Sequence, residues 1–138
     1  LNNQGITGLA YWAPDVNLFR TPVWGRGQEV PSEDPHLSAE YAREYISALQ
    51  AKDDGPFLQI VATAKHFVCN DFEKSTFGGV TLDRHNYSAN VTLQDLVEYY
   101  FVPFKAAVQQ GGTRSIMCSY NAVSVDGAES IPSCAHPL

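Results

Sequence analysis

The chain has 138 residues, 44% hydrophobic and 12% aromatic, which is enough for one modest domain with a core and too much for disorder. Its formal net charge of −6, with nine Lys and Arg and no basic cluster, argues against nucleic acid and anionic membrane as partners. No apolar run reaches bilayer-spanning length, and with no initiator Met and no leader the chain is expected to be an internal piece of a longer protein.

Gly8 to Ala13 reads as a first buried strand, stopped by Pro14. From Asp15 to Pro35 no period is visible, and Pro22, Gly25, Gly27, Pro31 and Pro35 punctuate a long loop of the kind that usually carries function. Ser38 then reads as the N-cap of a helix with Tyr41, Ala42, Tyr45, Ile46 and Leu49 on its core face, Lys52 in its last turn and Gly55-Pro56 as its stop. Leu58 to Phe67 is apolar and β-branched with almost no alternation, as in a strand buried on both faces. It finishes in Lys65-His66. In α/β folds ligand groups gather at the C-terminal ends of parallel strands, so this pair is a site candidate. The competing reading is a lysine leaving the sheet for solvent beside a core histidine.

Asn70 to Asn90 reads as a second long loop carrying two glycosylation sequons, at Asn86 and Asn90. Thr92-x-x-Asp95 resembles a capping box ahead of a helix with Leu93, Leu96, Val97, Tyr100, Phe101 and Phe104 on one face, kinked or restarted at Pro103. Arg114 to Tyr120 is a third strand ending in polar groups, and Val123 to Leu138 reads as loop. The three cysteines and the scattered His36, His66, His85 and His136 make no metal pattern, so neither metal nor cofactor is expected. The alternation of strand, long loop and helix predicts an α/β fold with parallel strands. About three β-loop-α units with the long loops after the strands suit part of a (β/α)8 TIM-type barrel, since three strands cannot close one.

Five ordered stretches resemble the N-terminal barrel domain of family-3 glycoside hydrolases. They are Trp12-Ala13-Pro14-Asp15-Val16-Asn17-Leu18-Phe19-Arg20, Trp24-Gly25-Arg26-Gly27-Gln28-Glu29, Ser32-Glu33-Asp34-Pro35, Ala64-Lys65-His66-Phe67 and Met117-Cys118-Ser119-Tyr120-Asn121. The first two resemble the β-xylosidase/α-arabinofuranosidase branch more than the β-glucosidases. The resemblance implies that Arg26, Lys65, His66 and Tyr120 grip the sugar in the innermost subsite, with Glu29 a neighbour. Sugar hydroxyls suit these residues: Arg and Lys donate charge-assisted bonds, while His and Tyr donate or accept. It also implies that the nucleophilic Asp and the acid/base lie outside this chain. Asp126 stands in the loop before the nucleophile's strand and is not that residue. Residues 124–131 make a longer turn than is usual in the xylosidase branch.

The expected function is therefore part of an exo-acting retaining glycosidase, β-xylosidase-like, cleaving xylan-derived or related plant cell-wall oligosaccharides. The expected partners are the substrate, the remainder of the barrel and a following domain. A β-glucosidase-like member, a non-catalytic carbohydrate-binding barrel and a stand-alone α/β ligand-binding domain are the alternatives. The sequons suggest a secreted, glycosylated protein of the cell wall or medium. In that oxidising setting Cys118 and Cys134 are expected to pair, leaving Cys69 free. If Lys65 and His66 touch one sugar, strand alternation must break between them, through a bulge or a rare cis peptide.

Overall fold

The computed structural model describes residues 9–51 and 57–137. Its centre is a parallel three-stranded sheet in the order β1 (Ala10–Tyr11), β2 (Val61–Phe67), β6 (Ser115–Cys118). The crossover from β1 to β2 contains helix α1 (Pro35–Leu49). That from β2 to β6 contains a helical stretch made of α2 (Leu93–Asp95), a π turn (Leu96–Tyr100) and α3 (Phe101–Gln109). Strands paired in sequence order, with helices between them, are consecutive units of a (β/α) barrel.

β2 is the central strand and the most covered, with Ala62, Thr63, Ala64 and His66 buried. Its unbroken apolar run is that of a strand enclosed on both faces. Val16, Ala42, Ile46, Leu96, Phe104 and Ala107 join it in one core. Gln50, the C-cap of α1, accepts from Ala62 N–H at 3.1 Å and donates to the Gly112 carbonyl at 2.9 Å, stitching helix, strand and the approach to β6 together.

β1 is only two residues long and exposed, not the buried six-residue strand expected; Gly8 lies outside the described residues. Among the described residues its neighbour within the sheet is β2 alone. Pro14 does not end the pairing either. Thr63 N–H reaches the Ala13 carbonyl, Lys65 N–H the Pro14 carbonyl, and Val16 N–H the Lys65 carbonyl. Proline lacks a donor but keeps its acceptor, so the ladder carries Asp15 to the level of Lys65.

α1 begins earlier than expected. Asp34 is the N-cap, its carboxylate accepting from His36 and Leu37 N–H, and Pro35 takes the first helical position, where no donor is needed. Ser38 is buried one turn inside the helix. Tyr41 is largely exposed and packs on Tyr45, 5.5 Å between rings. The expected stop at Lys52 and Gly55-Pro56 lies outside the described residues. Thr92 caps α2 by accepting from Asp95 N–H. The irregularity expected at Pro103 takes the form of the π turn just before it, where Phe101 N–H bonds the Leu96 carbonyl. Leu96, Tyr100 and Phe104 face the core, while Leu93 and Val97 are exposed.

Two stretches read as loop hold further strands. β3 (Lys74–Phe77) and β4 (Val80–Asp83) form a hairpin whose turn, Gly78-Gly79, has φ of 55° and 82°. Two consecutive positive φ values are what a tight hairpin turn requires, and glycine meets them without a Cβ clash. β5 (Ser88–Val91) pairs in parallel with β7 (Ala122–Val125), and β7 pairs antiparallel with β8 (Ile131–Pro132).

Candidate functional site

The expected break in β2 is present. Its pairing with β6 slips between Lys65 and Phe67, and the Lys65–His66 and Phe67–Val68 peptides are cis. The neighbouring side chains replace the missing ladder partners. Asn17 acts as a surrogate strand, its amide donating to the His66 carbonyl at 2.9 Å and accepting from His66 N–H at 2.8 Å. The carbonyls of Phe67 and Val68 take hydrogen bonds from the hydroxyls of Ser133 and Ser119 and from the Asn121 amide. Buried backbone polar groups must be satisfied somewhere, and here side chains from the segments after β1, β6 and β8 do it. The Cys118–Cys134 disulfide, with Cα atoms 5.7 Å apart, closes the loop that brings Ser133 in; Cys69 is unpaired and buried.

Around this end of β2 four of the five expected residues come together. Arg26 makes a two-pronged bond to Glu29, at 2.7 and 2.6 Å. Its Nη1 lies 3.5 Å from His66 Nε2, and Lys65 Nζ lies 3.7 Å from the Glu29 carboxylate. Adjacent residues Lys65 and His66 thus both reach the Arg26–Glu29 pair. The loop geometry demands glycine next door: a Cβ on Gly27 would clash with the Phe19 ring. The Arg26 bond foremost, and the charges of Arg26, Lys65 and His66, hold the Glu29 carboxyl below the usual carboxylate range against partial burial. The same bond raises the Arg26 guanidinium.

Tyr120 stands apart. No hydrogen bond joins it to Arg26, Lys65 or His66. It is 55% exposed, its ring packing on His85 at 4.8 Å and under the Arg84 guanidinium at 5.6 Å. Its neighbours Ser119 and Asn121 are buried and structural.

Residues missed in the sequence complete the cluster. Asp15, its side chain 2% exposed, places one carboxylate oxygen 3.2 Å from His66 Nδ1 and 4.0 Å from Arg26. Its other oxygen accepts from Asn17 N–H at 3.1 Å. A buried carboxylate persists only where it is paired, and this one faces a histidine and an arginine. Asn70 sits 3.2 Å from the same His66 nitrogen. Glu73 lies 3.8 Å from Arg26 and 3.3 Å from Arg84. Asp15 and Asn17 could have been found, being polar residues two apart in an apolar strand-like run and therefore on one face. Glu73 and Arg84 carry no local signal. The result is a floor of three carboxylates, Asp15, Glu29 and Glu73, balanced by Arg26, Lys65 and Arg84, in which one Asp15 oxygen makes no hydrogen bond.

The other expected positions lie elsewhere. Asp126 turns at positive φ and caps the second helical stretch by accepting from Leu93 N–H. Asn86 and Asn90 are exposed, the first in the turn after β4, the second on β5. Among the described residues no group of His, Cys, Asp and Glu is disposed to hold a metal, and no helix is long and apolar enough to cross a membrane.

Residues 3–137 match the family described as glycosyl hydrolase family 3 N terminal domain. The chain is 47% identical to β-D-xylosidase 1 of Arabidopsis thaliana, over 88% of this chain and 15% of that protein. It is 44% identical to β-xylosidase/α-L-arabinofuranosidase 2 of Medicago sativa subsp. varia, over 99% and 17%. Among solved structures it resembles the GH3 exo-β-xylosidase XlnD in complex with a xylobiose aziridine activity-based probe, with TM-score 0.81, 43% identity and coverage of 97% and 16%. It also resembles β-glucosidase 3B of Thermotoga neapolitana in complex with glucose, with TM-score 0.71, 30% identity and coverage of 88% and 14%. The chain thus spans about a sixth of the length of the curated relatives it matches. The partial barrel, the residues gathered at the end of β2 and these likenesses agree, and the chain belongs to the glycosyl hydrolase family 3 N-terminal domain family.

Proposed function

We propose that this stretch forms part of the barrel domain of a longer, exo-acting retaining β-xylosidase, cleaving the O-glycosidic bonds of xylan-derived or related plant cell-wall oligosaccharides. The observation that carries the reading is the convergence of Arg26, Glu29, Lys65 and His66 on one strand end. In it Arg26 and Lys65 donate charge-assisted bonds to the hydroxyls of the terminal sugar, His66 and Glu29 complete the set, and Tyr120 bounds the site from the third strand. Binding groups of this kind orient a sugar; they do not attack it. Retaining hydrolysis also needs two carboxylates across the scissile bond. The nucleophile and the acid/base come from a later barrel strand and a following domain of the same longer chain, which together with the substrate are this segment's partners. Similarity to xylosidases at higher identity than to β-glucosidases favours the xyloside. The glucoside is the second reading, supported by the shared architecture with β-glucosidase 3B.

The reading extends to a secreted, glycosylated enzyme of the cell wall or medium, engaged in xylan breakdown. A disulfide between Cys118 and Cys134 and exposed sequon asparagines at 86 and 90 support it, since disulfides persist in oxidising compartments. The test is expression of the longer parent chain and assay on aryl β-xyloside, aryl α-arabinofuranoside and aryl β-glucoside. Release of xylose with retained configuration is expected. Preference for the glucoside would move the protein to the second reading, and no turnover on any of the three would leave a carbohydrate-binding barrel.

A further inference from the structure

Among the described residues, Glu73, just ahead of β3, is the carboxylate that pairs with both Arg26 and Arg84. Its Oε1 accepts from the buried Trp24 indole N–H at 3.5 Å and lies 3.8 Å from Arg26 Nη1, while its Oε2 lies 3.3 Å from Arg84 Nη1. Its backbone carbonyl accepts from Arg84 N–H at 2.8 Å, so Glu73 and Arg84 are paired through main chain and side chain together. Arg84 in turn lies over the Tyr120 ring. Two guanidiniums facing one region repel each other, and each is a long side chain with much rotamer freedom to lose. Arg26 is anchored chiefly by Glu29, with Glu73 as the longer contact; Arg84 packs besides on the exposed face of Tyr120.

We propose that Glu73 is a positioning residue that holds Arg26 and Arg84, and through Arg84 the ring of Tyr120, in one frame around the sugar. It touches no reacting atom; it decides whether the first-strand side and the third-strand side of the site keep a fixed separation. The proposal rests on the glycosidase reading above for its kinetic consequence, but not for its geometry.

The experiment uses the longer parent chain as wild type, Glu73→Gln, Arg84→Ala and the double variant. Aryl β-xyloside kinetics per titrated active site, thermal midpoints, and crystal structures of wild type and Glu73→Gln are compared. For Glu73→Gln the expected result is a fall in kcat/KM of about tenfold or more, with a midpoint within about 2 °C of wild type. The Arg84 guanidinium should be displaced by about 1 Å or more, and the Arg26 guanidinium by less. Added to Arg84→Ala, Glu73→Gln should cost less than the product of the single losses, because the two act on one contact. Glu73→Gln with both guanidiniums unmoved overturns the proposal. So does a kcat/KM within about twofold of an active wild type, and so does a loss explained entirely by a smaller folded fraction. A wild-type parent that turns over no glycoside refutes the glycosidase reading alone. The crystal structures then decide for Glu73: displaced guanidiniums uphold it and unmoved ones overturn it.

Discussion

At the C-terminal end of β2, Lys65 and His66 are tied by Asp15, Asn17, Arg26, Glu29 and Asn70, which arrive from the loops on either side of the strand. Along the flank made by β6, the π turn and α3, by contrast, Val97, Val108 and Ile116 are exposed beside Phe67 and Phe101, whose rings stack at 5.6 Å. The polar end is held from several directions, with each charge answered by another. The apolar flank is held from one. Hydrophobic side chains gain their stability by leaving water, and a contiguous exposed patch is normally something another surface covers. In the proposed function that surface is the rest of the barrel. The groups proposed to hold the sugar are set by contacts within this stretch, while the apolar flank of the scaffold that carries them is left uncovered.

The largest effect should come from testing the two regions apart. The 138-residue chain expressed alone is expected to hydrolyse neither aryl xylosides nor aryl glucosides and to be poorly soluble, with sugar binding at best millimolar, of order −4 kcal/mol. Val97→Lys with Ile116→Lys should raise its solubility without restoring turnover. Robust hydrolysis by the isolated chain, abolished by Asp126→Asn, would show that a carboxylate now assigned to a helix cap does the chemistry.

Next comes the brace between the regions. Cys118 and Cys134 are 16 positions apart, and removing a cross-link of that span costs about 3 kcal/mol on the chain-entropy model. Cys118→Ser in the parent should lower the denaturation free energy by that order. An unchanged midpoint would mean that Ser133 needs no disulfide to reach the Phe67 carbonyl.

Somewhat smaller is the effect within the polar end. Hydrogen bonds to charged groups are worth about 1.5–3 kcal/mol, so Lys65→Ala or Arg26→Ala in the parent should lower kcat/KM roughly ten- to a few hundred-fold with little change in folding. A well-folded Lys65→Ala enzyme with normal turnover would remove that residue from the site.

Smallest is the pH dependence of the Arg26–Glu29 pair. The folded-state pKa of Glu29 is lowered, chiefly by the Arg26 bond. Its contribution is therefore fully present above the ordinary glutamate value of about 4.3 and is lost as pH falls through the lower folded value. Glu29 is 40% exposed at its side chain, so solvent screening keeps the contribution small. Acid titration of wild type against Glu29→Gln should show a modest difference above that window and none below it; a difference growing toward acid would have the wrong sign.

Much of this was legible in the residues themselves. The apolar run of β2, the periodic faces of α1 and of the second helical stretch, and the motifs holding Arg26, Lys65, His66 and Tyr120 depend on local pattern. Buried strands and amphipathic helices write their environment into nearest-neighbour spacing. The Gly78-Gly79 turn and Asp34-Pro35 as a cap and first helical position have local signatures too. Only the tertiary structure decided the rest. β5 and β7 are four residues each and pair across 30 and more positions of chain, so neither carries a decisive pattern alone. Ser38 and Tyr41 show that a helix's period does not say which of its faces is covered. Asn70, Glu73 and Arg84 become site residues because separate loops converge on one strand end. A charge acquires its partner through space, and no spacing along the chain records that distance.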